Sequence, residues 1–168
     1  MGNLDLKRTY TDYHSRLDKL TTTLPSRFHP RLNEARDKLF KLFQDGYPTV
    51  LNHVELAENN VHADPKTGHI TGVLDWLDAA PGPFGLALWG VDVVLGVSSG
   101  SGWHWHKDHV TLRQQFWDAF TTAVGGLTDE QVATIKLARV VGIFFAFTCF
   151  KGQADDVSIG CLDALLDV

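Results

Sequence analysis

Four side chains between positions 53 and 75 have the types and spacing to do chemistry: His53, Glu55, Asn60 and Asp75. Two carboxylates and an amide oxygen near one point would make a hard-oxygen site able to hold Mg²⁺. The same carboxylates could instead work as a general acid/base pair. Either use requires Asp75 to lie beside Asn60, and the intervening residues predict how. Asn60 to Ala63 reads as a strand. Asp64-Pro65-Lys66-Thr67-Gly68 reads as a turn with Pro early and Gly late. His69 to Leu74 completes a hairpin, in which Ile70, Gly72 and Leu74 alternate with Thr71 and Val73, so one face is expected to be buried. His62 and His69 flank the turn and are expected to face solvent.

These residues resemble the catalytic segment of the aminoglycoside phosphotransferase and choline-kinase-like family, the small-molecule branch of the protein-kinase-like fold. That family's pattern is H-G-D-x-x-x-x-N, a hairpin, then a D-W pair, and here it reads His53-Val54-Glu55 with Asn60 and Asp75-Trp76. The hairpin Asp64 to Val73 and the run Pro83 to Gly90 are similar too, the latter to fungal members. The resemblance covers the C-terminal lobe of a complete family member. It implies an α+β, mainly α fold, with a short β-hairpin at the cleft. It also implies roles: Glu55 as base, His53 bracing the loop, Asn60 and Asp75 as Mg²⁺ ligands. Asp92 is implied as a substrate contact, although a buried carboxylate on an apolar helix could equally pair with an Arg.

The departures from the pattern matter. Glu55 stands at the catalytic Asp position and Val54 at the Gly before it. The extra methylene displaces the carboxylate by about an ångström, a shift that can cost on the order of a hundredfold in rate. A kinase also needs a Gly-rich loop and a strand-borne Lys. Neither precedes Leu51, so the nucleotide lobe is expected to be absent.

The supporting elements follow from periodicity. At 168 residues the chain is expected to be one domain, 1–168, able to bury a real core. Leu6, Tyr10, Tyr13, Leu17 and Leu20 predict a helix over 3–20. Pro30 opens a second helix with the stripe Leu32, Ala35, Leu39 and Phe43, ended by Asp45-Gly46. Tyr47 to Leu51 reads as a strand, Ala79 to Gly85 as a bend and Leu86 to Leu95 as a buried helix. Gly96 to Gly102 reads as a flexible loop. His104 and His106 of the H-W-H run would face the same way only on a strand. A helix is expected from about Lys107 to Val124. Thr128 and Gln131 form a capping box for a central helix that is apolar all round from Val132 to Phe150. A short helix over Ile159 to Leu166 ends the chain.

The net charge of −5 argues against a nucleic-acid partner. The longest apolar run is too short for the ~20 residues that span a bilayer, so no membrane is expected. Cys149 and Cys161 form no C-x-x-C pattern, and with no signal core the chain is expected to be cytoplasmic.

Three functions compete. The chain could be half of a Mg²⁺-dependent phosphotransferase, completed by a partner lobe. It could be an ATP-independent enzyme that performs cyclisation, dehydration or isomerisation of a metabolite, such as a cyclase of secondary metabolism. There Glu55, His53 and Asp75 would be catalytic, and Trp76, Phe84, Trp89, Trp103 and Trp105 would wall the pocket. It would need no cofactor, with Mg²⁺ optional. Or it could be a non-catalytic pseudokinase remnant. The carboxylate kept at position 55 favours the second. A homodimer covering the bare docking face is expected with it.

Overall fold

The computed structural model describes residues 5–148 and 155–167. Cys149 and the helix end expected at Lys151-Gly152 lie outside them. The described chain is mainly helical, with three separate two-stranded antiparallel sheets.

The first helix, α1, spans Leu6–Thr23, with the Asp5 carboxylate accepting from Arg8 N at its N-cap. It runs three residues past the expected break because its end is set by Leu24 and Pro25. The second, α2, spans His29–Lys38 with Pro in its first turn and runs on as a 3-10 segment, Leu39–Phe43. Leu17, Leu32, Ala35 and Leu39 are buried, as the apolar stripes predict, whereas Phe43 is half-buried and Leu42, outside the stripe, is buried instead.

The central helix, here α5, spans Asp129–Thr148. Its capping box forms: Thr128 N–H donates to Gln131 Oε1 at 2.9 Å and Gln131 N–H to Thr128 Oγ1 at 3.2 Å. Ala138, Val141, Ile143 and Phe144 are fully buried. The helix α6, Asp156–Leu166, packs on α5 through Leu162 and Leu165 and carries Cys161, whose thiol is pushed up by burial. By length and composition α5 is also apolar enough to cross a bilayer, but here it sits at the centre of the packed helices. Gly142 permits this: a Cβ there would lie 2.0 Å from Leu86 O.

The strands depart further from expectation. β1 is Thr49–Asn52, and its partner is β4, Ala80–Pro83, in the stretch read as a bend. Phe84 N–H donates to Pro48 O, so residues 80, 82 and 84 address β1, and Pro81 and Pro83 turn their nitrogens to the open edge. β2, Val61–Ala63, and β3, Ile70–Val73, make the expected hairpin, with Gly68 at φ 72° and Asp64 bonding Lys66 N and Thr67 Oγ1 in its turn. The hairpin buries neither face fully. Ile70 is 69% exposed, so alternation here marks a strand without a covering layer.

The expected helix over Leu86 to Leu95 is shorter: a 3-10 turn, Leu86–Leu88, then α3, Trp89–Val93. The expected loop over Gly96 to Gly102 is part of a hairpin: β5, Gly96–Ser99, pairs with β6, Gly102–Trp105. Trp103 and Trp105 turn inward at every second position, and His104 and His106 point to solvent. The tryptophans' need for burial outweighs the flexibility of the Gly/Ser run. The helix α4, His109–Ala123, follows.

Candidate functional site

The chain leaves β1 at Asn52 and enters a loop built around one imidazole. His53 is buried, with Nε2 2.6 Å from Leu74 O. A carbonyl only accepts, so Nε2 carries the proton. Nδ1 then accepts from Glu55 N at 3.3 Å. Both ring nitrogens are occupied by backbone, which fixes the loop to the end of the β2–β3 hairpin. These contacts are those of a side chain that braces the loop, the placement the resemblance implies for His53. The Trp76 ring meets the imidazole edge-on at 4.9 Å and its Nε1 donates to Val73 O.

Glu55 is held by its backbone. Its carbonyl accepts from Ala57 N and from Asn60 Nδ2, both at 2.8 Å. Among the described residues no hydrogen bond or ion pair occupies its half-buried carboxylate. One residue further on, Gly90 of α3 presses against the loop, where a Cβ would lie 2.0 Å from Leu56 O. Leu74 N–H donates to Asn60 O at 2.8 Å, so the hairpin does return Asp75 to Asn60. Asp75 is exposed and is the only non-glycine among the described residues with positive φ, at 58°.

Two adjoining depressions flank this loop. One, about 230 Å³, is lined by Tyr13, Arg16, Asn52, His53, Trp89 and Phe145, among others. The other, about 250 Å³, is lined by Glu55, Asn59 and Asn60. They share Val54, Trp89 and Ala146. Burial pushes the Tyr13 phenol up, with Arg16 pulling it back, so this wall is a neutral hydroxyl. The Arg16 guanidinium lies 3.7 Å over the Phe145 ring.

The model of the phosphotransferase enzyme family (APH) matches residues 3–119, well over half of the chain and including the whole loop and hairpin. The chain belongs to this family. No curated protein and no solved structure matches it. In this phosphotransferase-family scaffold, part of the cleft wall, Gly142, Phe145 and Ala146, comes from beyond the matched residues.

The other expected substrate contacts divide. Trp89 lines both depressions. Phe84 does not; it stacks on Phe120 at 5.9 Å. Trp103 packs into the core cluster beside Trp105. For Asp92 the geometry is that of the alternative reading, a buried carboxylate paired with Arg. It is 1% exposed, with Oδ1 2.8 Å from Arg113 Nε and Oδ2 2.5 Å from Arg139 Nε. Both oxygens are taken, and the carboxylate joins α3 to α4 and α5 rather than meeting a substrate. Sequence reading missed Tyr13, Arg16 and Phe145 as cleft residues, because Tyr13 fits an apolar stripe and a second helix supplies Phe145.

For Mg²⁺ the donor set is thin but of the right chemistry. Asn60 commits its amide nitrogen to Glu55 O, which leaves its carbonyl oxygen, a hard donor, without a hydrogen bond among the described residues, and the Asp75 carboxylate is exposed. No group of three or more His, Cys, Asp or Glu suited to a metal occurs among the described residues. Two oxygens fit an ion that keeps most of its waters, as Mg²⁺ does.

Proposed function

We propose that the protein is a small-molecule enzyme in which Glu55 handles the proton, by acid/base catalysis that needs no nucleotide. The observation that carries this reading is the loop itself. His53, Asn60 and Gly90 fix the backbone around Glu55 from three sides, while its carboxylate stays unpaired in a half-buried depression. Such preorganisation around a free carboxylate suits general acid/base chemistry. Trp89 and Phe145 supply apolar walls, and Tyr13 and Asn60 supply polar groups that orient a ligand. Arg16 is the one cation lining these depressions, too little charge for a triphosphate. Cyclisation, dehydration or isomerisation of a metabolite fits this equipment.

A second reading, Mg²⁺-dependent phosphotransfer, is favoured by one observation: the hairpin joins Asn60 to Asp75 through Leu74 N–H. Asn60 and Asp75 would then hold Mg²⁺, which would neutralise charge on a phosphate, while Glu55 took the proton of an attacking hydroxyl.

The deciding experiment is thermal unfolding of the chain with Mg-ATP and, separately, with a panel of metabolites. A ligand bound only to the folded state raises Tm by mass action. The first reading expects a rise with a metabolite alone. A rise with Mg-ATP and with no metabolite would replace it with the second.

A further inference from the structure

Away from Glu55, a groove of about 290 Å³ runs between α2 and α5 and shares no lining residue with the depressions described above. Its floor is apolar, from Ala35 on α2 and Leu137 and Val140 on α5. Its rim is cationic, from Arg31, Lys38, Lys41 and Lys136. Glu34 is the one acid in the lining. In a chain of net charge −5 this concentration of positive charge runs against the average.

The pairing within the rim leaves charge over. Glu34 is shared by two cations, Lys38 at 2.8 Å and Arg31 at 3.5 Å, and its hydrogen bond to Lys38 holds it below the usual carboxylate range. Lys41 reaches only Glu130, at 3.9 Å, a side chain 84% exposed. Lys136 meets no carboxylate among the described residues and lies 5.4 Å over the Trp117 ring. Exposed pairs of this kind contribute little, so an incoming anion can take over these cations at small cost.

We propose that this groove binds a small anionic amphiphile, with a phosphate or carboxylate head among the four cations and an aliphatic body on the Ala35–Leu137–Val140 floor. A bare anion would leave that floor wet. A nucleic acid would need a longer track of positive charge than one groove offers. The volume is near the ~300 Å³ at which small-ligand pockets begin. Planar Arg31 suits a two-oxygen contact to the head, and the lysines suit a point charge.

The test is titration of the whole chain with n-octyl phosphate below its micellar concentration, read by tryptophan fluorescence. Lys136 lies over Trp117, so its movement to a ligand changes the signal, and Trp117→Phe removes that change. Saturable binding is expected, weaker by about fivefold or more in Lys136→Glu and in Lys38→Glu. Both residues are on the surface, and circular dichroism confirms that each variant is folded. Added salt weakens the binding, since exposed charges are screened beyond ~10 Å at 0.1 M. n-Octanol and inorganic phosphate bind much more weakly. The proposal is overturned if octanol binds as well as octyl phosphate, or if neither charge reversal changes the affinity. Binding confined to phosphatidic acid vesicles, with none to the free amphiphile, overturns it too.

Discussion

The helical half and the loop-and-hairpin half of this molecule are held together by different physics. Around α5 the contacts are apolar and dense: Leu17, Leu32, Leu39, Phe144 and Leu165 are essentially inaccessible. The buried charged cluster among the described residues there, Asp92 with Arg113 and Arg139, engages both carboxylate oxygens, and Arg139 Nη2 also bonds Leu165 O, while Arg113 Nη2 is buried without a hydrogen-bond partner. Around Glu55 the reverse holds. Ile70, Leu74, Trp76 and Leu77 are exposed, and the loop keeps its shape through backbone bonds to His53 and Asn60. One half is a scaffold stabilised by burial. The other is a thin structure whose geometry depends on a few polar contacts and on Gly90, where the scaffold touches it.

That contrast can be broken at graded strength. The largest effect is expected in the scaffold. Asp92→Ala leaves buried Arg139 and partly buried Arg113 without their carboxylate, and breaking a buried pair typically costs about 3–5 kcal/mol. Urea unfolding should show that loss, a large share of the ~5–15 kcal/mol of a whole domain. Wild-type-like stability would mean that the triad is not the bolt between α3, α4 and α5.

At the seam, Gly90→Ala places a methyl where Leu56 O stands and must shift the residue after Glu55. A displacement of this size should lower turnover by about a hundredfold while the chain stays folded. Unchanged turnover would show that α3 does not set the position of Glu55.

The smallest effect is a pH dependence in the strand pair that feeds the loop. Tyr47 donates its hydroxyl to Phe84 O at 2.8 Å, and burial pushes the phenol from 10.0 up to about 12. Below pH 10 both folded and unfolded chains keep the proton, so the contribution is whole. Between about 10 and 12 the unfolded chain ionises first, and stability falls. Chemical unfolding at pH 9 and pH 11.5 should show the drop in the wild type and a shallower one in Tyr47→Phe. The ring is partly exposed, so the difference will be modest.

The same contrast explains what could be read from the sequence. Burial-driven elements announce themselves through periodicity: the stripe of α2 and the capping box of α5 both stand where they were expected. The turn after Ala63 likewise announces the hairpin, whose Leu74 N–H bonds Asn60 O and so returns the chain to Asn60. What escaped depends on partners far along the chain. β4 contains Pro81 and Pro83 and reads as a bend until β1 is known to lie on its other edge. Asp92 reads equally as a substrate contact or an Arg partner, and only the fold shows that the partners are Arg113 and Arg139 from two later helices. Phe84 and Trp103 read as pocket walls because aromatic type says nothing about which side of a helix will cover them. Gly90 carries no chemical signal at all, and its role is visible only in the 2.0 Å at which a Cβ there would meet Leu56 O.

The most direct test of the central claim is turnover by Glu55→Gln of the metabolite that raises the wild-type Tm. Gln is nearly isosteric, and the loop is held through the backbone of residue 55, so the fold and ligand binding should persist. The account predicts bound ligand and no turnover. Turnover at the wild-type rate would contradict it and remove Glu55 as the proton-handling group.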